Sequence, residues 1–234
     1  MTIDLAPAPL SPTLAGESQE ARALRQVLER VNEHSCPYFY NFHLHTQFSD
    51  GRLLPEEIIE QAIALGLKGL AITDHHGVGG YKMAREWLDL QDSDRQVPQL
   101  WSGIEVNASL LNTEVHILGY GFDPDSPAIA PYTRGHATTG EDYQAESAIA
   151  AIHAAGGLAV LAHPARYRRG AAELIPEAAR WGIDGIETYY AYNNPYPWTP
   201  SPKQMARVKQ LGETYGLIHS CGTDTHGQSI EKRV

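Results

Sequence analysis

Apolar residues recur at Leu24, Val27, Leu28 and Val31, the i, i+3, i+4, i+7 spacing of a helix that buries one face. This predicts a helix from Ser18 onward, after a Pro- and Ala-rich opening over residues 1–16 that reads as disordered. Beyond it, short apolar runs alternate with longer amphipathic ones. Strand patterns fall at 38–43, 68–73, 99–106, 114–121, 157–162, 184–189 and 217–222, and helical patterns at 55–66, 80–90, 142–155, 171–181 and 202–215. Pro55 suits a first helical position and Gly66 a stop for the same helix. Residues 122–141 and 192–202 are rich in Pro, Gly and Asn and read as long loops. Alternation of this kind predicts an α/β fold with a largely parallel sheet, and the number of units predicts closure into a barrel. The run at 114–121 follows its neighbour with no helix between them, so a regular eightfold barrel is not expected.

The 234 residues suit one large domain, and a hydrophobic content of 42% supplies a core for it. The expected layout is a tail at 1–16, a helix within 17–35 packed on the body, and a single domain over 36–234. Eight residues follow His226, and the N-terminal helix is expected to close the last strand edge. No run approaches the roughly 18 apolar residues of a membrane span. The opening MTIDLAPAPLSPTLAGE has neither the basic start nor the apolar centre of a signal peptide. Cys36 and Cys221 form no CxxC, so neither a disulfide framework nor a thiolate zinc site is expected. Together these features predict a cytoplasmic protein with reduced thiols and no membrane association.

A formal charge of −10 argues against a broad basic surface for nucleic acid. Part of that acidity has another explanation once the polar residues are placed on the strands. His43 and His45 end the first strand, Asp74 and His75 the second, and Glu105 lies near the end of the third; His116, His163, Glu187, Asp224 and His226 follow on later ones. Nearly every strand finishes in an acid or a histidine at its C-terminal end, where parallel barrels assemble their active sites. A lone histidine at such a position is usually a packing or hydrogen-bonding residue, and His34, His76, His136, His153 and His219 are read that way. Six histidines with several carboxylates at one mouth are different. Buried together they cost several kcal/mol unless they are paired or coordinated, so they call for cations. Imidazole and carboxylate without thiolate suit zinc, manganese or iron.

The motifs HLHTQFSDG, ITDHHG, GIEV, HILGYG, AHP and TDTHG, in this order between Phe42 and Gly227, resemble those of the PHP family, named for polymerase and histidinol phosphatase. The resemblance implies a distorted (β/α)7, TIM-like barrel that holds two or three divalent metal ions, zinc, manganese or iron with magnesium as a further option, and hydrolyses phosphate esters. It implies a first metal on His43, His45, Glu105 and Asp224, a second on His116 and His163 with Glu105 bridging, and a third on Asp50, His75 and His226. Some relatives have His at the position of Asp50. Asp74 and Glu187 are expected to orient a ligand imidazole or a water.

The expected reaction is in-line attack of a metal-bound hydroxide on a phosphate ester, with Glu105 and Asp224 as catalytic ligands. Arg166, three residues past His163, is the candidate clamp on a non-reacting phosphate oxygen, with Arg168 or Arg169 as alternatives. A small phosphomonoester or nucleotide phosphate is the expected substrate. Three other readings stand beside it. An exonuclease or oligonucleotide phosphodiesterase would need a stacking groove, for which Tyr189, Tyr190, Tyr192, Tyr196 and Trp198 are available. An amidohydrolase would place a modified lysine where this chain has Glu105. A scaffold stabilised by metal without catalysis would not need the complete set of ligands.

Overall fold

The computed structural model describes residues 16–92 and 95–234, so the tail expected at 1–16 lies, apart from Gly16, outside the described residues. Among the described residues the chain is a mixed α/β fold with eight strands and six α-helices. Strands β1 (Tyr40–Asn41), β2 (Gly69–Ala71) and β3 (Gln99–Trp101) form one parallel sheet in that order. Strands β4 (Gly103–Leu110), β5 (Thr113–Tyr120), β6 (Leu158–Leu161), β7 (Gly185–Tyr189) and β8 (Ile218–Cys221) form a second. In it β5 runs antiparallel to both neighbours, and β6, β7 and β8 are parallel.

The sheets meet along two seams, both beside strand C-termini. On one, the Phe42 amide donates to the Cys221 carbonyl (3.0 Å), Asp224 to His43 (2.9 Å) and His45 to Thr225 (3.2 Å). On the other, Glu105 donates to the Asp74 carbonyl (3.2 Å) and His76 to that of Glu105 (3.0 Å). His43, His45, Asp74, Glu105 and Asp224, all expected to carry chemistry, therefore lie in the seams themselves. The edge of β8 is taken by the segment following β1, where the N-terminal helix was expected to close it.

Helices α1 (Gln19–Leu28), α2 (Pro55–Leu65), α3 (Gly79–Asp89), α4 (Ala145–Ala154), α5 (Ala171–Arg180) and α6 (Pro202–Tyr215) follow the hydrophobic periodicity. In α2 Pro55 opens the first turn, the Leu54 amide is held by Glu57 (2.8 Å), and Gly66 closes the helix at φ 72°. That angle lies in the left-handed region glycine tolerates best. Ile58, Ile59 and Ala62 are the buried stripe it presents to Leu70 and Ile72.

Two departures from the sequence expectation have local causes. The single strand expected over 99–106 breaks at Ser102, where the chain passes from one sheet to the other: its carbonyl accepts from the Gly121 amide (3.0 Å) and its hydroxyl donates to the Phe122 carbonyl (2.7 Å). Beyond it β4 continues to Leu110 and turns into β5 through Leu111 and Asn112, at φ 51° and 56°. Two consecutive positive φ angles make the tight hairpin turn that joins antiparallel strands with matching twist.

Helix α1 starts at Ser18, whose Oγ accepts from the Ala21 amide and donates to the Gly121 carbonyl, both at 2.9 Å. It buries Ala21, Leu24 and Leu28 among Phe42, Trp101, Tyr120 and Leu158. Its Arg25 reaches across to the start of β7, where Nη2 lies 2.6 Å from Asp184 Oδ1, and it pairs as well with Glu17 (2.5 Å). The other Asp184 oxygen meets His153 Nε2 (2.7 Å) and the Ala159 amide (2.8 Å). Both cysteines are buried and unbridged. No described helix is long and apolar enough to cross a membrane.

Candidate metal centre

Glu105, on β4, is the centre of the cluster and is 1% exposed. Its Oε2 lies 3.0 Å from His43 Nε2, 3.1 Å from His45 Nε2 and 3.5 Å from His75 Nε2. Its Oε1 lies 2.7 Å from His116 Nδ1 and 3.3 Å from His163 Nε2. Five imidazoles thus converge on one carboxylate. Asp224 enters from the far seam, with Oδ1 3.4 Å from His43 Nε2 and 3.3 Å from His45 Nε2. Asp50 and His226 complete the outer rim, His226 Nε2 standing 3.1 Å from Asp50 Oδ2 and His45 Nδ1 3.6 Å from Asp50 Oδ1.

Among the described residues three groups bring their ligand atoms within 4.8 Å of one another: His43, His45, Glu105 and Asp224; His45, Asp50, His75 and His226; and His75, Glu105 and His116. The first matches the ligand set implied by the motifs. The second adds His45 to the implied outer set. In the third His75 stands where His163 was expected, while His163 keeps its contact with Glu105.

Local backbone explains how the chain brings these groups so close. Residues i and i+2 of an extended segment face one side, which aims both His43 and His45 inward. Gly222 lies against His43, and a Cβ there would sit 2.2 Å from the His43 Cβ. Only glycine lets the end of β8 pass at that distance. His163 (φ 27°) and Asp224 (φ 55°) hold positive φ without being glycine, a conformation that costs of order 1–3 kcal/mol and gathers at functional sites.

The electrostatics fit a cation. Burial disfavours charge on His43, yet the Glu105, Glu187 and Asp224 carboxylates outweigh it and raise its pKa well above the ordinary value. Burial is likewise overcome at His45 by contacts with Asp224 and Glu105, and its pKa rises to about 9. Burial also opposes charge on Glu105 and Asp224, but His43 holds both well below the usual carboxylate range. His75 moves the other way: burial lowers it to about 4. The carboxylate field that favours protons on His43 and His45 would equally hold a divalent ion. Alignment supports the ion over a proton network, because both ring nitrogens of His45 and of His163 are buried without a hydrogen bond. Buried polar atoms are rarely left so without a ligand to meet them.

Asp74 and Glu187 divide in their contacts. Glu187 Oε1 is 2.9 Å from His43 Nδ1, and Oε2 accepts from the His163 amide (2.8 Å), which fixes the His43 ring and the His163 backbone. Asp74 touches no imidazole among the described contacts. It accepts from the Thr46 amide, the Thr46 hydroxyl and the Ser49 hydroxyl, each at 2.7 Å, and so fastens the turn that leads to Asp50. Partners of a ligand imidazole typically contribute 10- to 100-fold to metal affinity. Glu187→Gln is therefore expected to weaken metal binding by about that factor, measured by competition with a chromophoric chelator. Unchanged affinity would show that His43 is held by packing alone.

Arg166 lies at the mouth with Nη1 3.4 Å from Asp224 Oδ2, whereas Arg169 pairs with Glu173 on the surface (2.7 Å). Two neighbours of Asp224 escaped the sequence reading: Arg233 Nε, 2.8 Å from Oδ2, and the Tyr190 hydroxyl, 2.7 Å from the same oxygen. Tyr190 had been grouped with the aromatics of a stacking surface. Tyr189, Tyr190 and Trp198 are buried, Tyr192 is half-buried with its hydroxyl accepting from the Ala165 amide (3.1 Å), and Tyr196 alone of the five is fully displayed. Arg233 sits in a Lys-Arg pair that carries no motif, so nothing in the pattern marked it.

Residues 41–156 match the family described as PHP domain. The 5'-3' exoribonuclease Rnm of Salmonella typhimurium is 26% identical over 258 aligned positions, covering 80% of this chain and 85% of that protein. The 3',5'-nucleoside bisphosphate phosphatase of Chromobacterium violaceum is 40% identical over 90 positions, covering 38% of this chain and 30% of that protein. A solved structure from Chromobacterium violaceum, described as an amidohydrolase with bound sulfate and no metal, superposes with a TM-score of 0.68 at 24% identity, over 83% of this chain and 90% of its own. At that identity the likeness speaks for the fold. The matched segment holds His43, His45, Asp50, Asp74, His75, Glu105 and His116, the motifs by which the first half of the cluster is built, and over these residues the chain matches the PHP domain family.

Proposed function

We propose that this chain is a metal-dependent phosphoesterase whose substrate is a small phosphomonoester or nucleotide phosphate. The observation that carries the reading is the convergence of five imidazoles on the buried Glu105 carboxylate, with Asp224 opposite. In this reading His43, His45, Glu105 and Asp224 would hold one ion, Glu105, His75 and His116 with His163 beside them would hold a second, and His45, Asp50, His75 and His226 would hold a third. Zinc, manganese and iron suit the donor set, and magnesium is the less suited choice because it takes oxygen ligands. Bound divalent ions would supply an acidified water and neutralise charge on the phosphoryl oxygens.

The chain's own residues do the rest. Glu105 spaces the ions, Glu187 keeps the His43 ring turned with Nε2 inward, and Arg166 and Arg233 present guanidinium N–H groups beside the Asp224 oxygen that faces the mouth. A phosphate oxygen there would gain charge-assisted hydrogen bonds. In the same reading residues 36–234 form the phosphoesterase domain, a distorted (β/α)7 barrel closed by the two seams, and 17–35 is a helical segment packed on it. The protein works in the cytoplasm.

An exonuclease is the second reading, favoured by the relative from Salmonella typhimurium, which is named for that activity. The burial of Tyr189, Tyr190 and Trp198 and the charge of −10 favour a compact substrate instead. A lysine-bridged amidohydrolase centre does not fit, since the bridging position is a glutamate. The test is turnover of an aryl monophosphate, a diaryl phosphate, adenosine 3',5'-bisphosphate and a short 5'-phosphorylated oligoribonucleotide, with metal content measured by elemental analysis. Monoester hydrolysis abolished by chelation and restored by manganese or zinc is expected. Turnover of none of the four by metal-loaded protein, or turnover indifferent to chelation, would overturn the reading.

A further inference from the structure

The register that pairs Ile117 of β5 with Leu161 of β6 places His116 opposite Ala162, one rung beyond the last regular pair of that ladder. At the hydrogen-bonded positions of an antiparallel pair, two opposed residues exchange both of their backbone bonds. Here one bond is direct, from the Ala162 amide to the His116 carbonyl (3.0 Å). The other is relayed through a side chain: the His116 amide donates to the Tyr167 hydroxyl (2.7 Å), and that hydroxyl donates to the Ala162 carbonyl (3.2 Å). The Tyr167 ring lies beside both imidazoles that leave this rung, its centroid 6.3 Å from that of His116 and 5.4 Å from that of His163. Both imidazoles end on the same oxygen, Glu105 Oε1, at 2.7 Å and 3.3 Å.

From this geometry we infer that Tyr167 is a positioning residue for the second ion: its hydroxyl, wedged into the end of the β5–β6 ladder, sets the spacing of His116 and His163 around Glu105. The inference rests on the ion placement of the reading above and adds to it a residue that builds the site. Without the hydroxyl, a direct bond of about 2.9 Å between the His116 amide and the Ala162 carbonyl would draw the strand ends together by on the order of 1 Å. The alternative leaves the His116 amide unpaired. His116 rides on one of these strand ends, and His163 is the residue that follows the other. Ligand-to-metal distances tolerate only about 0.2 Å, so a shift of that size is felt at the ion while the rest of the sheet keeps its register. Phenylalanine at 167 keeps the ring and removes only the wedge.

The experiment titrates metal-free wild type, Tyr167→Phe, Tyr167→Leu, His116→Ala and the His116→Ala/Tyr167→Phe double variant with manganese, in competition with a chromophoric chelator. In Tyr167→Phe one class of site weakens by about 10- to 100-fold and the remaining affinities stay as in the wild type. Tyr167→Leu shows the same loss, because both variants lack the hydroxyl. In the His116→Ala background Tyr167→Phe changes nothing further, since the site it serves is already gone. Turnover of an aryl phosphate by Tyr167→Phe then needs more manganese by the same factor and recovers when manganese saturates. Unchanged affinities in Tyr167→Phe with a lower melting temperature for the metal-free protein overturn the inference, for they show a hydroxyl that only satisfies the backbone. Loss in Tyr167→Leu alone overturns it as well, by assigning the effect to the ring, and so does equal weakening of every site. A wild type that binds manganese with this pattern yet turns over no phosphate ester overturns the phosphoesterase reading and leaves the role of Tyr167 standing.

Discussion

Glu105→Gln is expected to lower kcat/KM for a phosphate monoester by about 10³-fold and to remove bound metal from the purified protein. The argument is one of charge at fixed volume. Glutamine fills the same space, so the backbone bonds of residue 105 to Asp74 and His76 survive and the seam between the sheets is kept. What is lost is the negative charge that faces His43, His45 and His75 on one oxygen and His116 and His163 on the other. An amide presents a neutral oxygen to one side and N–H donors to the other, where they point at nitrogens that should be binding an ion. Without the carboxylate the pKa of His43 falls, since Glu105 is the foremost of the charges that raise it against burial. Elemental analysis and steady-state kinetics check the outcome together. Full activity in metal-loaded Glu105→Gln would mean that the centre does not depend on this bridge.

The convergence on Glu105 was legible in the sequence because most of the cluster follows a strand C-terminus, and parallel strands bring those ends to one place, although Glu105 and His116 lie within β4 and the antiparallel β5. His43, His45, Asp50, His75, His116, His163, Asp224 and His226 could all be named on that basis. Their partition was less legible. Which ion His75 serves depends on side-chain distances of a few tenths of an ångström, and strand periodicity carries no such detail. The edge of β8 was assigned to a helix because only eight residues follow His226, and strand periodicity does not say which strands pair; the stretch from Phe42 through His45, read as the end of the first strand, takes that edge instead. Arg233 and Tyr190 were hidden for another reason. Each reaches Asp224 through a long side chain from a segment with no periodic pattern, so only the folded path of 227–234 and the turn after β7 bring them there.

The second large effect lies at the opposite end of β7, about 10 Å along the strand from Glu187. Arg25→Met is expected to destabilise the protein by about 3–5 kcal/mol, with a melting temperature lower by on the order of 10 °C. Arg25 is the only arginine or lysine paired with the carboxylates of Glu17 and Asp184 among the described residues, and both acids are buried at 6% and 4% exposure. Methionine keeps the stem that packs along α1 but leaves two buried acids without their shared cation, with His153 and the Ala159 amide as the remaining partners of Asp184. In the sequence Arg25 is one polar position of an amphipathic helix, and its reach to Asp184, 159 residues away, is what ties that helix to the strand layer. A cycle with Asp184→Asn separates the pair from general damage to α1. If the two groups act as one unit, the double variant loses less than the sum of the singles by more than about 1 kcal/mol. Additive losses would show that α1 is held by Ala21, Leu24 and Leu28 and that the ion pairs only decorate it. Metal content should stay unchanged in every member of the cycle, because none of these side chains touches a residue of the metal cluster among the described contacts.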